Sequence, residues 1–262
     1  MADHSADDSG AVQMRLLGAE RAIDGGELAE LYSYPADHDG VWLRANFIAS
    51  LDGGATFGGK SGQLGGPGDR AVFGALRETA DVILVGAGTV RTEGYAGARP
   101  NVAARQHRQA RGQSEVPQVA IVSRSGRLER DMPVFTRTEV APLVCTCTVA
   151  LDHTRRTLAD LAEVVDCSVG DPESVDSAAV LGALAERGLR RVLTEGGPML
   201  FSSFVARNLL DELCLTIAPT LVGGSAGRIA TGPEQVLTGM RRAHILSDDD
   251  GYLYTRYVRS DA

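Results

Sequence analysis

Three turns in this 262-residue chain place backbone amides or hydroxyls directly after apolar runs, where an anion can be held. The first, Val85-Gly86-Ala87-Gly88-Thr89-Val90, links the apolar run Val82 to Val85 to a short helix starting at Gly88-Thr89. N–H groups of such a turn, backed by the positive end of a helix, cradle phosphate. It departs from the Gly-x-Gly-x-x-Gly fingerprint, since Arg91 stands at the third glycine and Gln106, not an acid, lies near the ribose-reading distance. An ordinary Rossmann domain is not indicated. The second turn, Glu195-Gly196-Gly197-Pro198, also lies between a strand and a helix. If the two strands are neighbours, the turns share one ligand and Glu195 points into the cleft between them; otherwise Glu195 only caps its helix. The third is Ser123-Arg124-Ser125, where two hydroxyls and a guanidinium suit a phosphomonoester such as the 2′-phosphate of NADPH.

Other residues suit chemistry less directly. Asn46 and Ser50 lie an even number of residues apart on one strand and share a face, with Asp52 in the turn that follows. Asp69 sits where an acid favours the start of a helix. Gly223-Gly224-Ser225-Ala226-Gly227 matches the nucleophile elbow of serine hydrolases. Only His244 follows Ser225, and no aspartate lies between them, so a hydrolase at Ser225 is a remote alternative.

These residues are carried by alternating strands and helices. Trp42 to Ser50 reads as a strand stopping at Leu51-Asp52-Gly53-Gly54, and Asp69 to Thr79 reads as a helix with Val72, Phe73 and Leu76 on one side. Val82 to Val85 has the continuous apolar character of a strand covered on both faces. Further strands are expected at Gln118 to Ser123, Leu143 to Thr148, Val164-Val165 and Arg191 to Thr194, with helices at Leu151 to Leu161, Asp176 to Arg187 and from Pro198. Leu213 to Pro219 and Tyr252 to Val258 lack a crossover helix between them, which predicts antiparallel strands added to a mostly parallel sheet. Arg99 to Gln113, with Arg99, Arg105, Arg108 and Arg111, reads as a solvated helix or insertion.

Composition narrows the function. A net charge of −8 argues against nucleic-acid binding. No apolar stretch reaches the roughly 18 residues of a membrane span, and the polar, acidic start from Met1 to Met14 reads as a disordered tail before one domain over 15–262. Cys145, Cys147, Cys167 and Cys214 lack metal-ligand spacing, so no metal is expected, and they suit a reducing cytosol. Cys145 and Cys147, two apart in an extended run, are expected on one face of a strand.

Ser50-Leu51-Asp52-Gly53, Arg77 to Arg91, Thr194-Glu195-Gly196-Gly197-Pro198 and Val205 to Gly223 occur in an order that resembles the reductase domain of bacterial RibD riboflavin-biosynthesis proteins. The resemblance implies the α/β, three-layer dihydrofolate-reductase fold, a mostly parallel sheet with antiparallel C-terminal strands, NADPH as cofactor and a homodimer. The cofactor would lie on Gly86, Ala87, Gly88, Thr89 and Val90, on Ser123, Arg124 and Ser125, and on Gly196, Gly197, Pro198, Met199 and Leu200. The substrate would meet Asn46, Ser50 and Asp69, with Asp69, Asp52 and Glu195 as catalytic candidates. The deaminase domain that often precedes the reductase is not expected here, in keeping with the lack of zinc-ligand spacing.

Two departures bear on the substrate. Thr92-Glu93-Gly94-Tyr95 replaces the Asp-x-Pro-x-Leu run of riboflavin reductases. Ser123-Arg124 is similar to the pair that holds the 2′-phosphate in dihydrofolate reductases, and Asp69 with Phe73 looks like their pterin-binding helix. The resemblance therefore implies hydride transfer to either a riboflavin-pathway pyrimidine or a pterin or folate. A non-catalytic NADP-binding sensor is the alternative outside enzymes.

Overall fold

A computed structural model describes residues 14–16, 18, 21–36, 38 and 40–260. The tail expected over Met1 to Met14 lies outside them, except that Met14 opens a strand. The elements run β1 (Met14–Leu16), β2 (Arg21–Ile23), α1 (Gly25–Leu31), β3 (Trp42–Ser50), α2 (Pro67–Thr79), β4 (Val82–Gly86), α3 (Ala87–Glu93) and α4 (Val102–Ala110). They continue with β5 (Gln118–Val122), α5 (Pro133–Thr136), β6 (Leu143–Thr146), α6 (Thr148–Leu158), β7 (Glu163–Asp166), α7 (Ser177–Ala185) and β8 (Arg191–Thr194). The last are α8 (Pro198–Ala206), β9 (Glu212–Ala218), β10 (Met240–Ser247) and β11 (Leu253–Arg259).

Among the described residues, eleven strands form one sheet in the order β2-β1-β10-β11-β9-β3-β8-β4-β5-β6-β7. Strands β9 through β7 are parallel, whereas β11, β10, β1 and β2 are added antiparallel. Every residue of β4 is buried, which explains its unbroken apolar run: helices cover both of its faces. On one face Val82, Leu84, Val192 and Leu43 pack against Val180 and Leu184 of α7 and Phe201 and Phe204 of α8. On the other, Val85 and Ile121 pack against Val90 of α3 and Leu158 of α6, and Leu193 and Cys214 against Val72 and Leu76 of α2. Each fully buried Leu or Phe contributes about 1.5–3 kcal/mol. Three layers result.

After β3 the chain crosses through α2 to β4 and moves outward to β7. It then returns through α7 to lay β8 between β3 and β4. That reversal opens a crevice beyond the C-terminal ends of β3, β8 and β4, with α2 on one side and α8 on the other.

Helix α2 starts at Pro67, two residues before the expected Asp69. Its Gly-rich entry answers a packing need, because a Cβ on Gly68 would fall 2.1 Å from the Tyr254 hydroxyl. Only glycine lets the helix begin so close to β11.

Several expectations require correction. The strand expected to Thr148 stops at Thr146, and α6 begins at Thr148, three residues before Leu151. Cys147 therefore caps α6 and does not share a strand face with Cys145, although both are buried. Strand β9 is parallel to β3 and only antiparallel to β11, while β10 was not anticipated. The polar segment Arg99 to Gln113 contains α4, and its Arg108 is fully buried, not solvated. Arg108 donates to the carbonyls of Arg77, Glu78 and Ala80 at the end of α2, which that helix leaves without internal partners. No helix follows Ser225, which lies exposed in a turn, so the strand-to-helix elbow of a serine hydrolase is not formed.

Candidate active site

Strands β4 and β8 are paired, so their glycine turns meet as the adjacency argument requires: the Gly86 amide donates to the Gly196 carbonyl at 3.1 Å. Gly196 and Gly197 have φ of 145° and 97°, in the region that favours glycine. A Cβ on Gly197 would sit 3.5 Å from the Gly86 Cα, and one on Gly196 only 3.0 Å from Thr89. By contrast nothing lies within 4 Å of a Cβ built on Gly88, so the first turn of α3 faces open space. The free amides at the starts of α3 and α8 thus border one bare backbone edge, which fits an anionic dinucleotide.

Beside this edge lies a cleft of about 500 Å³. Asn46, Asp69, Thr89, Glu195, Gly196, Gly197 and Pro198, all singled out from sequence, line it. Ser50, Asp52, Gly86, Ala87, Gly88, Val90, Met199, Leu200 and the Ser123 to Ser125 turn do not.

Glu195 enters the cleft wall immediately after β8, with its side chain fully buried. Its carboxylate accepts Arg77 Nε at 2.7 Å, Arg77 Nη2 at 2.6 Å and the Tyr95 hydroxyl at 2.9 Å. The guanidinium of Arg77 lies 4.2 Å from the centre of the Phe73 ring. Glu195 is not the cap of α8, a position taken by Gly197. The capping alternative fails, and Glu195 joins a fixed ionic cluster in its place.

Asp69 stands in the first turn of α2, near the Thr216 hydroxyl of β9. Burial raises its pKa; Thr216 and the charge of Arg70 oppose that shift without cancelling it. It is an acceptor pair facing an apolar-walled cleft that includes Ile48 and Phe73.

Asp52 has a different task. Its carboxylate accepts Ser50 Oγ at 2.6 Å and the amides of Val222 at 3.1 Å and Gly223 at 2.7 Å. These bonds hold its pKa down to about 2. Asp52 and Ser50 therefore brace the turn after β3 against the segment after β9, and neither lines the cleft.

The Ser123 to Ser125 turn ends β5, next to β4. Thr146 Oγ1 donates to the Ser123 carbonyl at 2.7 Å and Cys147 Sγ to the Arg124 carbonyl at 3.1 Å, which fixes the backbone while Arg124 stays exposed. Arg127 is exposed close by, and Arg91 of α3 donates to its carbonyl at 3.1 Å. Three cations thus gather at the far end of the glycine edge.

Arg77, Tyr95, Glu93 and Thr216 stand at the site without a role expected from the sequence. Arg77 had a signal, its spacing of four from Phe73 on one helical face. Glu93 accepts both the Ser61 amide and Oγ at 2.9 Å, pinning the loop before α2 beside the cleft.

A model of the RibD C-terminal domain matches residues 41–254. The chain belongs to the RibD C-terminal domain family. It is 28% identical to the 2,5-diamino-6-ribosylamino-4(3H)-pyrimidinone 5′-phosphate reductase of Archaeoglobus fulgidus, over 82% of this chain and 96% of that protein. It is 30% identical to the riboflavin biosynthesis protein RibD of Chlamydia trachomatis, over 73% of this chain but only 49% of that protein. Among solved structures, a pyrimidine reductase-like protein from Corynebacterium diphtheriae matches with a TM-score of 0.78 at 26% identity, covering 89% of this chain and 99% of that one. The three-layer fold that the RibD resemblance implied is the fold present.

Proposed function

We propose that this RibD-type oxidoreductase uses NADPH to reduce a small substrate with a 2-amino-4-oxopyrimidine edge, of the kind named for its pyrimidinone phosphate reductase relatives. The observation that carries this reading is Asp69, a half-buried carboxylate on the wall of a cleft that adjoins the double glycine turn. Two carboxylate oxygens match the ring N–H and exocyclic amino group of such an edge, and burial makes the pairing selective. The bound nicotinamide supplies the hydride.

The protein's own residues then hold and dry the site. Asp69 fixes the ring, and its raised pKa favours sharing a proton with it. Phe73 and Ile48 give the cleft an apolar wall that would exclude water from it. Arg77 and Tyr95 hold Glu195 rigid at the junction of substrate cleft and glycine edge. The amides around Gly86 to Val90 and Gly196 to Leu200 take the pyrophosphate, and Arg124 with Ser123 and Ser125 takes the 2′-phosphate.

A pterin or dihydrofolate is the second reading, favoured by Asp69 and Phe73 together on the cleft face of α2 and by Glu93 and Tyr95 in place of the riboflavin-type run. A pterin presents the same 2-amino-4-oxopyrimidine edge. Oxidation of NADPH, followed at its near-ultraviolet band, should be measured in parallel with the diaminopyrimidinone phosphate, its deaminated form, dihydrofolate and dihydrobiopterin. Turnover of the pyrimidinone supports the first reading and turnover of the pteridines the second. Cofactor binding without any turnover would leave the chain as a sensor.

A further inference from the structure

One face of α2 runs along the cleft. Asp69, Arg70, Phe73 and Arg77 all line it, and the spacing from Arg70 to Phe73 to Arg77 is that of a single helical stripe. The two arginines of this stripe are in opposite states. Arg77 is bound at two points by Glu195 and lies over Phe73. Arg70 is exposed, and among the described residues its guanidinium has no hydrogen-bond or ion-pair partner. The other charged side chains on the wall, Asp69, Glu93 and Glu195, are acidic. In a chain of net charge −8, a cation on the cleft wall that no carboxylate bonds directly is where an anion on a bound molecule would be drawn.

We infer that Arg70 is a specificity residue that recognises an anionic tail on the substrate, a phosphate or a carboxylate carried beyond the ring that Asp69 holds. This rests on the proposed role of Asp69. The division of labour follows from the helix: adjacent positions in its first turn present an acceptor for the ring edge and a donor fork for the tail. A planar guanidinium binds phosphate or carboxylate at two points, and at an exposed position it loses little by waiting in water. Because Arg70 is carried by α2 and not by the glycine turns, it should govern binding of tailed substrates and leave the hydride step alone.

The test uses matched pairs that differ only in tail charge. These are the ribosylaminopyrimidinone 5′-phosphate against its dephosphorylated nucleoside, and dihydrofolate against its dimethyl ester. Steady-state kinetics would be measured for the unaltered protein, Arg70→Ala and Arg70→Lys. In whichever pair is turned over, Arg70→Ala should raise KM for the charged member roughly 10- to 100-fold, as for losing a hydrogen bond to a charged group. Its kcat should hold, and the neutral member should be unaffected. Arg70→Lys should keep part of the preference, and added salt should erode it in both of these proteins but not in Arg70→Ala. The pair that responds identifies the tail as phosphate or carboxylate. Absence of a preference for charge in the unaltered protein, or equal weakening of both members by Arg70→Ala, would overturn the assignment. If nothing is turned over, calorimetric binding of the same pairs decides: a charge preference lost in Arg70→Ala upholds Arg70 while removing the reductase reading. Failure of every member to bind removes both.

Discussion

Arg77 and Glu195 are 118 residues apart in sequence and form a two-point ion pair, Nε on Oε1 at 2.7 Å and Nη2 on Oε2 at 2.6 Å. The pair fastens α2, which carries Asp69, to the loop that carries Gly196 and Gly197. Glu195→Gln keeps the shape but leaves the guanidinium uncompensated. Removing one partner of a buried pair costs about 3–5 kcal/mol, and with Arg77 a quarter exposed we expect about 2–4 kcal/mol by urea unfolding. Replacing both, as Arg77→Met with Glu195→Leu, should recover much of that. A single variant as stable as the parent would mean that the pair only bridges solvent.

Arg124 is exposed at the end of β5 with its backbone fixed by Cys147. If it bonds the 2′-phosphate, Arg124→Ala should cost about 1.5–3 kcal/mol of NADPH affinity and leave NADH binding unchanged. Equal affinity of the unaltered protein for the two cofactors would remove this role.

The elements nearest the site were the most legible in sequence. A continuous apolar run ending in glycine specifies a covered parallel strand and its turn, so β4, β8 and the contact of Gly86 with Gly196 followed from pattern and adjacency. What pattern misses is pairing between distant side chains. Nothing local to Glu195 announces Arg77 or Tyr95, and nothing local to Asp69 announces Thr216. Strand β10 escaped because a bulge between Arg242 and His244 breaks its two-residue period and its first half is mostly exposed. Charge alone makes Arg108 look solvated and does not reveal that its guanidinium satisfies the open end of α2. One missed signal was readable: Asp24 three residues before Glu27 marks the cap of α1, whose Glu27 amide donates to Asp24 at 2.8 Å.

Asp52 should show its brace in acid. Its pKa is held near 2 by Ser50 and the amides of Val222 and Gly223. A depressed folded value means that the stabilisation is complete above the usual aspartate range and is lost as pH falls through about 2. The amide proton of Gly223 should titrate with that midpoint by nuclear magnetic resonance. In Asp52→Ala the amides of Val222 and Gly223 should exchange with solvent faster at neutral pH, and unchanged exchange would show that the loop holds itself.

The late strands bear on assembly. Strand β9 is flanked by β3 and β11, and β11 by β9 and β10, so neither offers an edge. Their faces do: Leu213, Leu215 and Ile217 alternate with buried residues and stay partly exposed, with the partly exposed Tyr257 and Leu253 opposite Leu213 and Ile217. We expect a second copy to cover this face, giving a dimer at micromolar concentration by light scattering and a monomer for Leu215→Asp. A monomeric parent protein would count against it.

Asp69 separates the substrate reading from a structural one, because the two predict opposite changes in stability. As a helix-start acid it should be stabilising, and Asp69→Asn would then cost about 0.3–1 kcal/mol. As a substrate-gripping carboxylate kept partly dry, it is charged at a cost, which is why its pKa is raised by burial. A raised folded value means that the ionised group destabilises the fold at neutral pH, and that this penalty fades as pH falls below the usual aspartate range, where both states are protonated. Asp69→Asn should therefore be more stable than the parent at pH 7, with the gain vanishing in acid. The same variant turns one acceptor into a donor against the amino-pyrimidine edge. Its kcat/KM should fall by about 2–4 kcal/mol, while NADPH affinity, which rests on the glycine edge and Arg124, stays at the parent value. Lower stability together with unchanged turnover would reduce Asp69 to a helix-start acid and move the search for the ring-binding group to Asn46 and Glu195.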